Sequence, residues 1–300
     1  MNKYPFILGH ESVGKVIKVG SGVKNYHEGD WVLRATAVYP KDFPGGLASF
    51  WGGFAEFGVV TDYAAQSKDR PNTPPLSNFY PMQQILPKNV NPIEATIYIT
   101  LKETLSWLRK VGLKADQNVL IMGSGPVGLS FAMFAKILGA YTVIMTGRRD
   151  ERLTLALKFG VDYTINITKE NFVEKVKEFT KGKGVDLAID AVGDYSLINE
   201  ALKVIASGGK IGIYGVPPSD MSSTLKLDFS HAPRDWDLQL VSPDEPSTHH
   251  EILNLVKYGF LKVDKFITHI YSLREINKGF EAIKRGEALK VVITMGEKGD

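Results

Sequence analysis

The residues best suited to hold a charged ligand form a short glycine-rich run, which reads Gly123-Ser124-Gly125-Pro126-Val127-Gly128. An apolar stretch precedes this run, and a second one with helical spacing follows it. In that context the first glycine allows a tight turn, the second lets backbone N–H groups approach a pyrophosphate, and the third lets the helix pack on the strand. The pattern predicts a dinucleotide-binding turn, with phosphates at the start of the helix. The alternative is a glycine turn that binds no ligand.

A second informative run follows the next apolar stretch. Gly147 stands where a site for NAD usually has a carboxylate that accepts the ribose hydroxyls, and Arg148 and Arg149 come directly after it. A guanidinium is always charged and binds phosphate oxygens in pairs, so this run favours a 2′-phosphate and hence NADP(H). The alternative is that both arginines are solvated and Asp150 plays the acidic role. Because a helix is expected from Glu151, we expect Asp150 to be its N-cap instead.

Both runs lie in a region where apolar strands alternate with helices. The expected strands are 119–122, 141–145, 162–165, 185–190 and 210–214, with 238–241 as a candidate to close the sheet. The expected helices between them are 127–138, 151–159, 171–180 and 197–205. Alternation of this kind predicts a parallel sheet with helices on both faces.

The two ends of the chain have a different pattern. Short stretches punctuated by glycine are typical of strands in a small barrel or sandwich, and they occur at 12–23, 29–33 and 52–60. Residues 66–81 contain four prolines and are expected to form a loop. Helices are expected at 92–111, 250–258 and 273–285, and a last strand at 288–295.

Composition narrows the class of protein. Of the 300 residues 44% are hydrophobic and 23% charged, which is ordinary for a globular chain with one large or two smaller domains. A net charge of +3 gives no reason to expect nucleic acid or a membrane as a partner. There is no cysteine, so disulfides and thiolate metal ligands are excluded. No apolar run reaches the roughly 18 residues of a membrane span, and no signal-peptide core is seen, so we expect a cytoplasmic protein.

Further short motifs occur in order along the chain. They are Pro5-Phe6-Ile7-Leu8-Gly9-His10-Glu11, Gly29-Asp30-Trp31-Val32, Gly53-Phe54-Ala55-Glu56-Phe57, Asp190-Ala191-Val192-Gly193, Gly215-Val216-Pro217 and Leu289-Lys290-Val291-Val292-Ile293. Together with the glycine-rich turn, they resemble the motifs of the medium-chain dehydrogenase/reductase superfamily, which includes the zinc alcohol and polyol dehydrogenases. The resemblance covers essentially the whole chain, and this makes it more specific than any single motif.

The resemblance implies an α/β fold of two domains. Residues 1–99 and 243–300 would form a GroES-like β domain, and residues 100–242 a Rossmann domain with a doubly wound parallel sheet. Members of the superfamily have a longer segment before the G-H-E motif, so we expect a GroES-like domain that is incomplete at its N-terminus. It would be either a natural short form or a truncated descendant of a longer protein. Exposed strand edges would invite pairing, and we expect a homo-oligomer, a dimer or a tetramer.

The resemblance also implies further contacts with the cofactor. The residues expected near its nicotinamide half are Val192, Gly193, Gly215 and Val216. Lys290 would approach the cofactor's phosphates.

The expected metal site departs from the superfamily pattern. Zinc members hold the metal through a cysteine, the histidine of G-H-E and a third Cys, Asp or Glu. Here only His10 corresponds to a ligand, with Glu11 as a weaker second, and Tyr98 and Ile99 occupy the region of the third. A catalytic site needs about three protein ligands, so we predict no zinc site, and His10 is the only plausible residual ligand. The alternative is that His10 is a strand residue with a hydrogen-bonded imidazole.

These observations predict an NAD(P)(H)-dependent oxidoreductase that prefers NADP(H). It would transfer a hydride between the nicotinamide and a small alcohol or carbonyl compound. The candidate catalytic residues are His10, Glu11, Tyr98 and Thr100. Without zinc, the hydroxyl of Tyr98 or Thr100 would hydrogen-bond the substrate oxygen, as in zinc-free reductases of the superfamily. The alternative is a catalytically silent NADP(H)-binding protein with a degenerate zinc site.

Overall fold

The structure is a computed structural model that describes residues 6–36, 48–49, 51–69, 80–216 and 226–296. The strands are β1 (Phe6–Ile7), β2 (Val13–Lys15), β3 (Trp31–Leu33), β4 (Ala48–Ser49), β5 (Ile85–Leu86), β6 (Asn118–Met122), β7 (Thr142–Gly147), β8 (Tyr163–Asn166), β9 (Val185–Asp190), β10 (Ile205–Ile213), β11 (Trp236–Gln239), β12 (Ile267–Ser272) and β13 (Lys290–Thr294). The α-helices are α1 (Tyr63–Asp69), α2 (Pro92–Ala95), α3 (Tyr98–Val111), α4 (Pro126–Ile137), α5 (Asp150–Leu157), α6 (Phe172–Phe179), α7 (Ser196–Leu202), α8 (His249–Lys257) and α9 (Ile276–Arg285). Single 3₁₀ turns lie at Tyr80–Met82, Glu245–Thr248, Asp264–Phe266 and Leu273–Glu275. Across the ranges described, no helix is both long and apolar enough to span a membrane.

The chain divides into two compact units. The first unit comprises residues 1–102 and 245–300, and the second comprises residues 103–244. The boundaries predicted from the sequence, after residues 99 and 242, lie two or three residues earlier. The difference arises because α3 begins at Tyr98 and its first turn belongs to the first unit.

The second unit is built on a six-stranded sheet with the order β11-β10-β9-β6-β7-β8. All of its pairings are parallel. The chain runs outward from β6 to β8 on one side and then returns to run outward from β9 to β11 on the other. This is the doubly wound order of a Rossmann fold, in which ligands bind at the carboxyl ends of the strands, where the order reverses. The predicted Rossmann sheet is therefore confirmed, with β11 closing one side as expected.

Residue type explains why the central strands of this sheet form. Every residue of β6 and of β7 is buried, and both strands are runs of apolar and β-branched residues, typical of parallel strands covered on both faces. Between them α4 begins at Pro126, whose fixed φ and missing N–H suit the first position of a helix. The β6–α4–β7 unit thus places the turn at 123–128 at the carboxyl end of β6.

The first unit contains three small sheets. The strands β2, β3 and β5 pair antiparallel, β1 pairs parallel with β4, and β12 pairs parallel with β13. The strand predicted at 12–23 is limited to Val13–Lys15. The strand predicted at 52–60 was wrong except for a bridge between Thr36 and Val59. Its first N–H groups, on Gly53 and Phe54, donate to the loop at residues 8–9 instead of to a neighbouring strand.

Two other expectations for this region need correction. The single helix predicted at 92–111 is interrupted after Ala95. There the N–H groups of Thr96 and Ile97 donate to carbonyls three residues back, and the Thr96 hydroxyl donates to the Ile93 carbonyl at 2.7 Å. The loop predicted from residue 66 begins later, because α1 continues to Asp69. Residues 70–79 of that loop lie outside the described residues.

A buried ion cluster stabilises the first unit. Arg34 Nε donates to Glu245 Oε2 at 2.7 Å, Lys102 Nζ forms an ion pair with Glu245 Oε1 at 2.7 Å, and all three side chains are at most 3% exposed. Lys102 also donates to Gln84 Oε1 at 2.8 Å, and Arg34 Nη1 donates to the main-chain oxygen of His10 at 2.9 Å. Buried charges are tolerated when they are paired, so Glu245 is the anion on which both cations depend.

We predict that Glu245→Gln lowers the free energy of unfolding by about 3–5 kcal/mol, because removing one member of a buried ion cluster leaves charge without its counter-ion. The measurement is urea unfolding followed by circular dichroism at neutral pH. The control is Glu287→Gln, which breaks an exposed pair with Arg285 and should leave the unfolding curve unchanged. Equal midpoints for the two variants would show that the cluster contributes nothing to stability.

Candidate functional site

The glycine-rich turn has the close backbone packing that its pattern predicts. Gly123 has a φ of +122°, in the region that side chains disfavour. A Cβ on Gly128 would lie 2.0 Å from the Gly123 carbonyl oxygen, so this position also excludes a side chain. At Gly125, by contrast, a Cβ would meet no atom within 4 Å. The turn is therefore closed on its inner side and open at its second glycine.

That opening lies at the N-terminus of α4. Gly125 is the N-cap of this helix and provides no side chain to bond the first-turn N–H groups, and Pro126 follows it. Helix N–H groups without a partner, together with the helix dipole, form an anion site. The space at Gly125 is a cradle that a Cβ would fill, and it fits a pyrophosphate.

Position 147, at the end of β7, has little room for a side chain. A Cβ on Gly147 would lie 2.7 Å from Ser124 Oγ and 3.0 Å from a methyl group of Leu153. A side chain at this position would require the side chains of Ser124 and Leu153 to move. The side chains of Arg148 and Arg149, which follow, are both exposed.

Asp150 is not the N-cap of α5. The N-cap is Arg149, and Asp150 is the first helical residue, so that part of the prediction was wrong. Its carboxylate accepts from Asn166 Nδ2 at 2.5 Å and also pairs with Lys169. These hydrogen bonds, first from Lys169 and then from Asn166, lower the pKa of Asp150. Each carboxylate oxygen of Asp150 thus has one donor, and the alternative in which Asp150 binds ribose hydroxyls stays open.

The loops after β9 and β10 lie against each other and against the turn. Gly193 has a φ of +87°, and a Cβ on Gly215 would lie 2.0 Å from the Gly193 nitrogen. The Val192 side chain packs on Gly123, where an added Cβ would be 2.8 Å away. Val192 and Val216 are otherwise exposed. The second unit thus brings the predicted cofactor residues of β6, β7, β9 and β10 to one edge of its sheet. Pro217, like Pro5 of the first motif, lies outside the described residues.

Two candidate catalytic residues of the first unit, Glu11 and Thr100, form a small group with Lys290. Lys290 Nζ donates to Glu11 Oε2 at 2.5 Å, and the hydroxyl of Thr100 donates to Glu11 Oε1. Burial acts to raise the pKa of Glu11, but the charge of Lys290 and the hydrogen bonds from Lys290 and Thr100 outweigh it and lower the pKa. Glu11 is therefore an ionised counter-ion of Lys290. Within this unit Lys290 is held by Glu11, and its predicted contact with cofactor phosphates stays a prediction.

Two more candidates are His10, which precedes Glu11, and Tyr98, which lies two residues before Thr100 in α3. Burial, followed by the positive charges of Arg34 and Lys290, lowers the pKa of His10, so its imidazole is neutral near pH 7. Tyr98 is buried, and burial together with the charge of Glu94 raises its pKa to about 12, so its phenol keeps its proton. The catalytic roles of His10, Glu11, Tyr98 and Thr100 stay predictions.

The donor set near His10 does not fit a catalytic zinc ion. Ile99, in the region of the third ligand, is a fully buried hydrocarbon, and both oxygens of Glu11 already accept hydrogen bonds. Among the residues that the structure describes, no group of three or more His, Asp or Glu side chains could hold a metal ion. Zinc needs about three protein ligands in such a site, and of the expected ligand positions only His10 has a side chain that suits zinc and is not already held by other residues of the described group.

Two features of the site escaped the sequence analysis. The cluster of Arg34, Lys102 and Glu245 was missed, although a lysine at an apolar position of the helical pattern was a detectable signal. The sequence predicts Asp190 only as the last residue of a strand and part of a motif, yet its carboxylate accepts the N–H groups of Val192 and Gly193. An acidic residue that directly follows the apolar residues Leu187, Ala188 and Ile189 was the available signal there.

Comparison with known proteins agrees with this geometry. The family model described as "Alcohol dehydrogenase GroES-like domain" matches residues 1–69, and the one described as "Zinc-binding dehydrogenase" matches residues 126–234. The predicted GroES-like domain is thereby confirmed. The L-threonine 3-dehydrogenase of Bacillus licheniformis is 28% identical over 97% of this chain and 82% of its own length. That of Shigella sonnei is 27% identical over 97% of this chain and 83% of its own length.

Solved structures show the same fold. Alcohol dehydrogenase TADH from Thermus sp. ATN1 has a TM-score of 0.76 at 26% identity, covering 97% of this chain and 85% of that protein. The 2R,3R-butanediol dehydrogenase of Bacillus subtilis has a TM-score of 0.78 at 22% identity, covering 98% of this chain and 82% of that protein. Both family models, the full-length relatives and the doubly wound sheet agree with the motifs, and this chain belongs to the medium-chain dehydrogenase/reductase superfamily of nicotinamide-dependent oxidoreductases.

Proposed function

We propose that this chain is an NADP(H)-preferring dehydrogenase that acts on a small alcohol or carbonyl compound. The observation that carries the proposal is the open cradle at Gly125, at the N-terminus of α4, with exposed arginines at the end of the next strand. When bound, the cofactor supplies the hydride or accepts it. The chain's own task is to hold and orient the two reactants.

Different residues of the second unit would bind different parts of the cofactor. The turn at 123–128 would bind the pyrophosphate through backbone N–H groups, and Arg148 and Arg149 would bind the 2′-phosphate. Gly147 supports this preference, because it provides no carboxylate for the ribose hydroxyls, and the Asp150 carboxylate is paired with Asn166 and Lys169. The loops at 192–193 and 215–216 would contact the nicotinamide half. A guanidinium near a ribose favours the phosphorylated cofactor over NAD(H).

For the substrate oxygen, Tyr98 is the better of the two hydroxyl candidates. The Thr100 hydroxyl donates to Glu11, whereas Tyr98 keeps its proton with a pKa of about 12 and is suited to donate a hydrogen bond to a carbonyl. Relatives named for threonine and butanediol support a small hydroxylated or carbonyl compound as the substrate.

The second candidate function is an NADP(H)-binding protein without turnover. It is favoured by the pairing of Glu11 with Lys290 and by Ile99 in the region of the third metal ligand. The two candidates are separated by following NADPH absorbance with a panel of aldehydes and ketones. Oxidation with at least one carbonyl supports the dehydrogenase, and tight NADPH binding without oxidation supports the silent protein.

Two broader expectations also remain proposals. A homo-oligomer is supported by β11, the outer strand on one side of the sheet, since Leu238 and the adjoining Leu240 are 42% and 77% exposed. The cytoplasmic location expected from the composition stays a prediction.

We predict that Arg148→Ala weakens NADPH binding by about 1–3 kcal/mol, the scale of a charge-assisted hydrogen bond to a phosphate, and leaves NADH binding unchanged. Titration calorimetry with both cofactors measures the difference. The matched control is Arg234→Ala, which removes the same charge next to β11, on the other side of the sheet, and should affect neither cofactor. Equal losses for NADPH and NADH would refute the assigned 2′-phosphate contact.

We predict that Gly125→Val abolishes dinucleotide binding in a folded protein. The added side chain meets no protein atom within 4 Å of its Cβ, but it fills the space that a pyrophosphate needs. Circular dichroism tests the fold, and NADPH fluorescence tests binding. Undiminished NADPH affinity in the folded variant would show that the turn has only a structural role.

We infer that the described residues form no catalytic zinc site, and we predict well below one zinc per chain after dialysis against EDTA. A site with fewer than three protein ligands loses its metal to a mild chelator. The measurement is elemental analysis by mass spectrometry, with the thermal unfolding temperature recorded before and after EDTA. Stoichiometric zinc that survives the dialysis and is lost in His10→Ala would contradict the inference.

A further inference from the structure

One buried carboxylate connects the two loops assigned to the nicotinamide half. Asp190 is the last residue of β9 and is fully buried. Its Oδ1 accepts the N–H of Val192 at 2.8 Å and that of Gly193 at 3.0 Å. Its main-chain oxygen accepts the N–H of Tyr214 at 3.0 Å and that of Gly215 at 2.9 Å. The loop after β9 and the loop after β10 are therefore both anchored to this residue.

The anchoring leaves little freedom to either loop. The two loops touch through glycine backbone, since a Cβ on Gly193 would lie 2.4 Å from the Val216 carbonyl oxygen. The Ala191 N–H also donates to the Met122 carbonyl at 3.0 Å, which ties the first loop to the strand before the phosphate turn. A shift of the Asp190 side chain would consequently move the exposed side chains of Val192 and Val216, which these loops carry.

The second oxygen of this carboxylate has a different environment. Asp190 Oδ2 is buried and has no hydrogen-bond partner among the described residues. Burial raises the pKa of Asp190, and the nearby charge of Asp194 acts in the same direction, while the N–H groups of Val192, Gly193 and Asp194 oppose the shift. A buried oxygen without a partner costs stability, so this carboxylate is not explained as a device that stabilises the fold.

We propose that Asp190 is a positioning residue for the nicotinamide half of the cofactor. Its carboxylate holds the loop at 192–193 through two hydrogen bonds, its main-chain oxygen accepts two more from the loop at 214–215, and it does not touch the cofactor itself, because its side chain is fully buried. The adenosine half, which is assigned to the turn at 123–128 and to the arginines after β7, does not depend on it. This inference rests on the proposed function.

The test compares the whole cofactor with a fragment that lacks the nicotinamide half. NADPH and 2′,5′-ADP are titrated by calorimetry into the wild type, Asp190→Ala and Asp190→Asn. We expect Asp190→Ala to weaken NADPH binding about tenfold, since two buried N–H groups lose their acceptor, and to change 2′,5′-ADP binding by less than about twofold. Asp190→Asn should restore NADPH affinity to within about threefold, because the amide oxygen accepts the same two N–H groups.

A matched control lies on the same strand. Asp186 is four residues earlier in β9, and its carboxylate accepts the N–H of Asn118 at 2.7 Å, at the other end of the strand. Asp186→Ala removes an equivalent hydrogen bond to a backbone N–H. It should leave the ratio of NADPH to 2′,5′-ADP affinity unchanged, whatever it does to the unfolding temperature.

The outcomes separate this inference from the proposed function. A wild type that binds neither ligand would refute the proposed function, and this inference with it. If the wild type binds NADPH and 2′,5′-ADP, and folded Asp190→Ala has the same ratio of the two affinities as the wild type, the positioning role alone is overturned. Equal losses for both ligands would overturn it as well. If Asp190→Ala does not fold, Asp190→Leu replaces it, because leucine fills a similar volume without providing an acceptor.

Discussion

Direct backbone-to-backbone contact at the carboxyl edge of the parallel sheet is the constraint on which the rest of the second unit depends. A Cβ would lie 2.0 Å from main-chain atoms at Gly128 and at Gly215, so the segments meet where no side chain fits. This contact draws the turn after β6 and the loops after β9 and β10 into one surface. The same closeness leaves the N-terminus of α4 facing open space at Gly125, and the proposed pyrophosphate site depends on this opening.

The first unit depends on a different constraint, the pairing of buried charge. Glu245 is the counter-ion of Arg34 and Lys102, and Glu11 is the counter-ion of Lys290. The helix α3 contributes Lys102 to the first group and Thr100 to the second. A carboxylate that is already hydrogen-bonded on both oxygens is a counter-ion, and binding a metal would first require these bonds to break. In this chain the G-H-E motif of the superfamily is therefore part of an ion-pair network.

Much of the second unit could be predicted because its signals are local. Runs of buried β-branched residues specify β6, β7 and β9, and the glycine pattern specifies the turn between β6 and α4. The first unit was predicted less well. Its strands are two or three residues long up to β5, and at Gly53 the backbone bonds to a distant loop, so periodicity along the chain carries little information there.

The sequence by itself determined the class of fold, the phosphate turn and the absence of a carboxylate at Gly147, because each depends on residue type over a few neighbouring positions. Only the tertiary structure decided that Arg149, and not Asp150, caps α5, since Asn166 and Lys169 hold Asp150 from 16 and 19 residues away. Only the tertiary structure likewise paired Glu11 with Lys290, 279 residues apart, and placed Asp190 beneath two loops. Electrostatic and hydrogen-bond partners are chosen by proximity in space, and proximity between distant segments is a property of the completed fold.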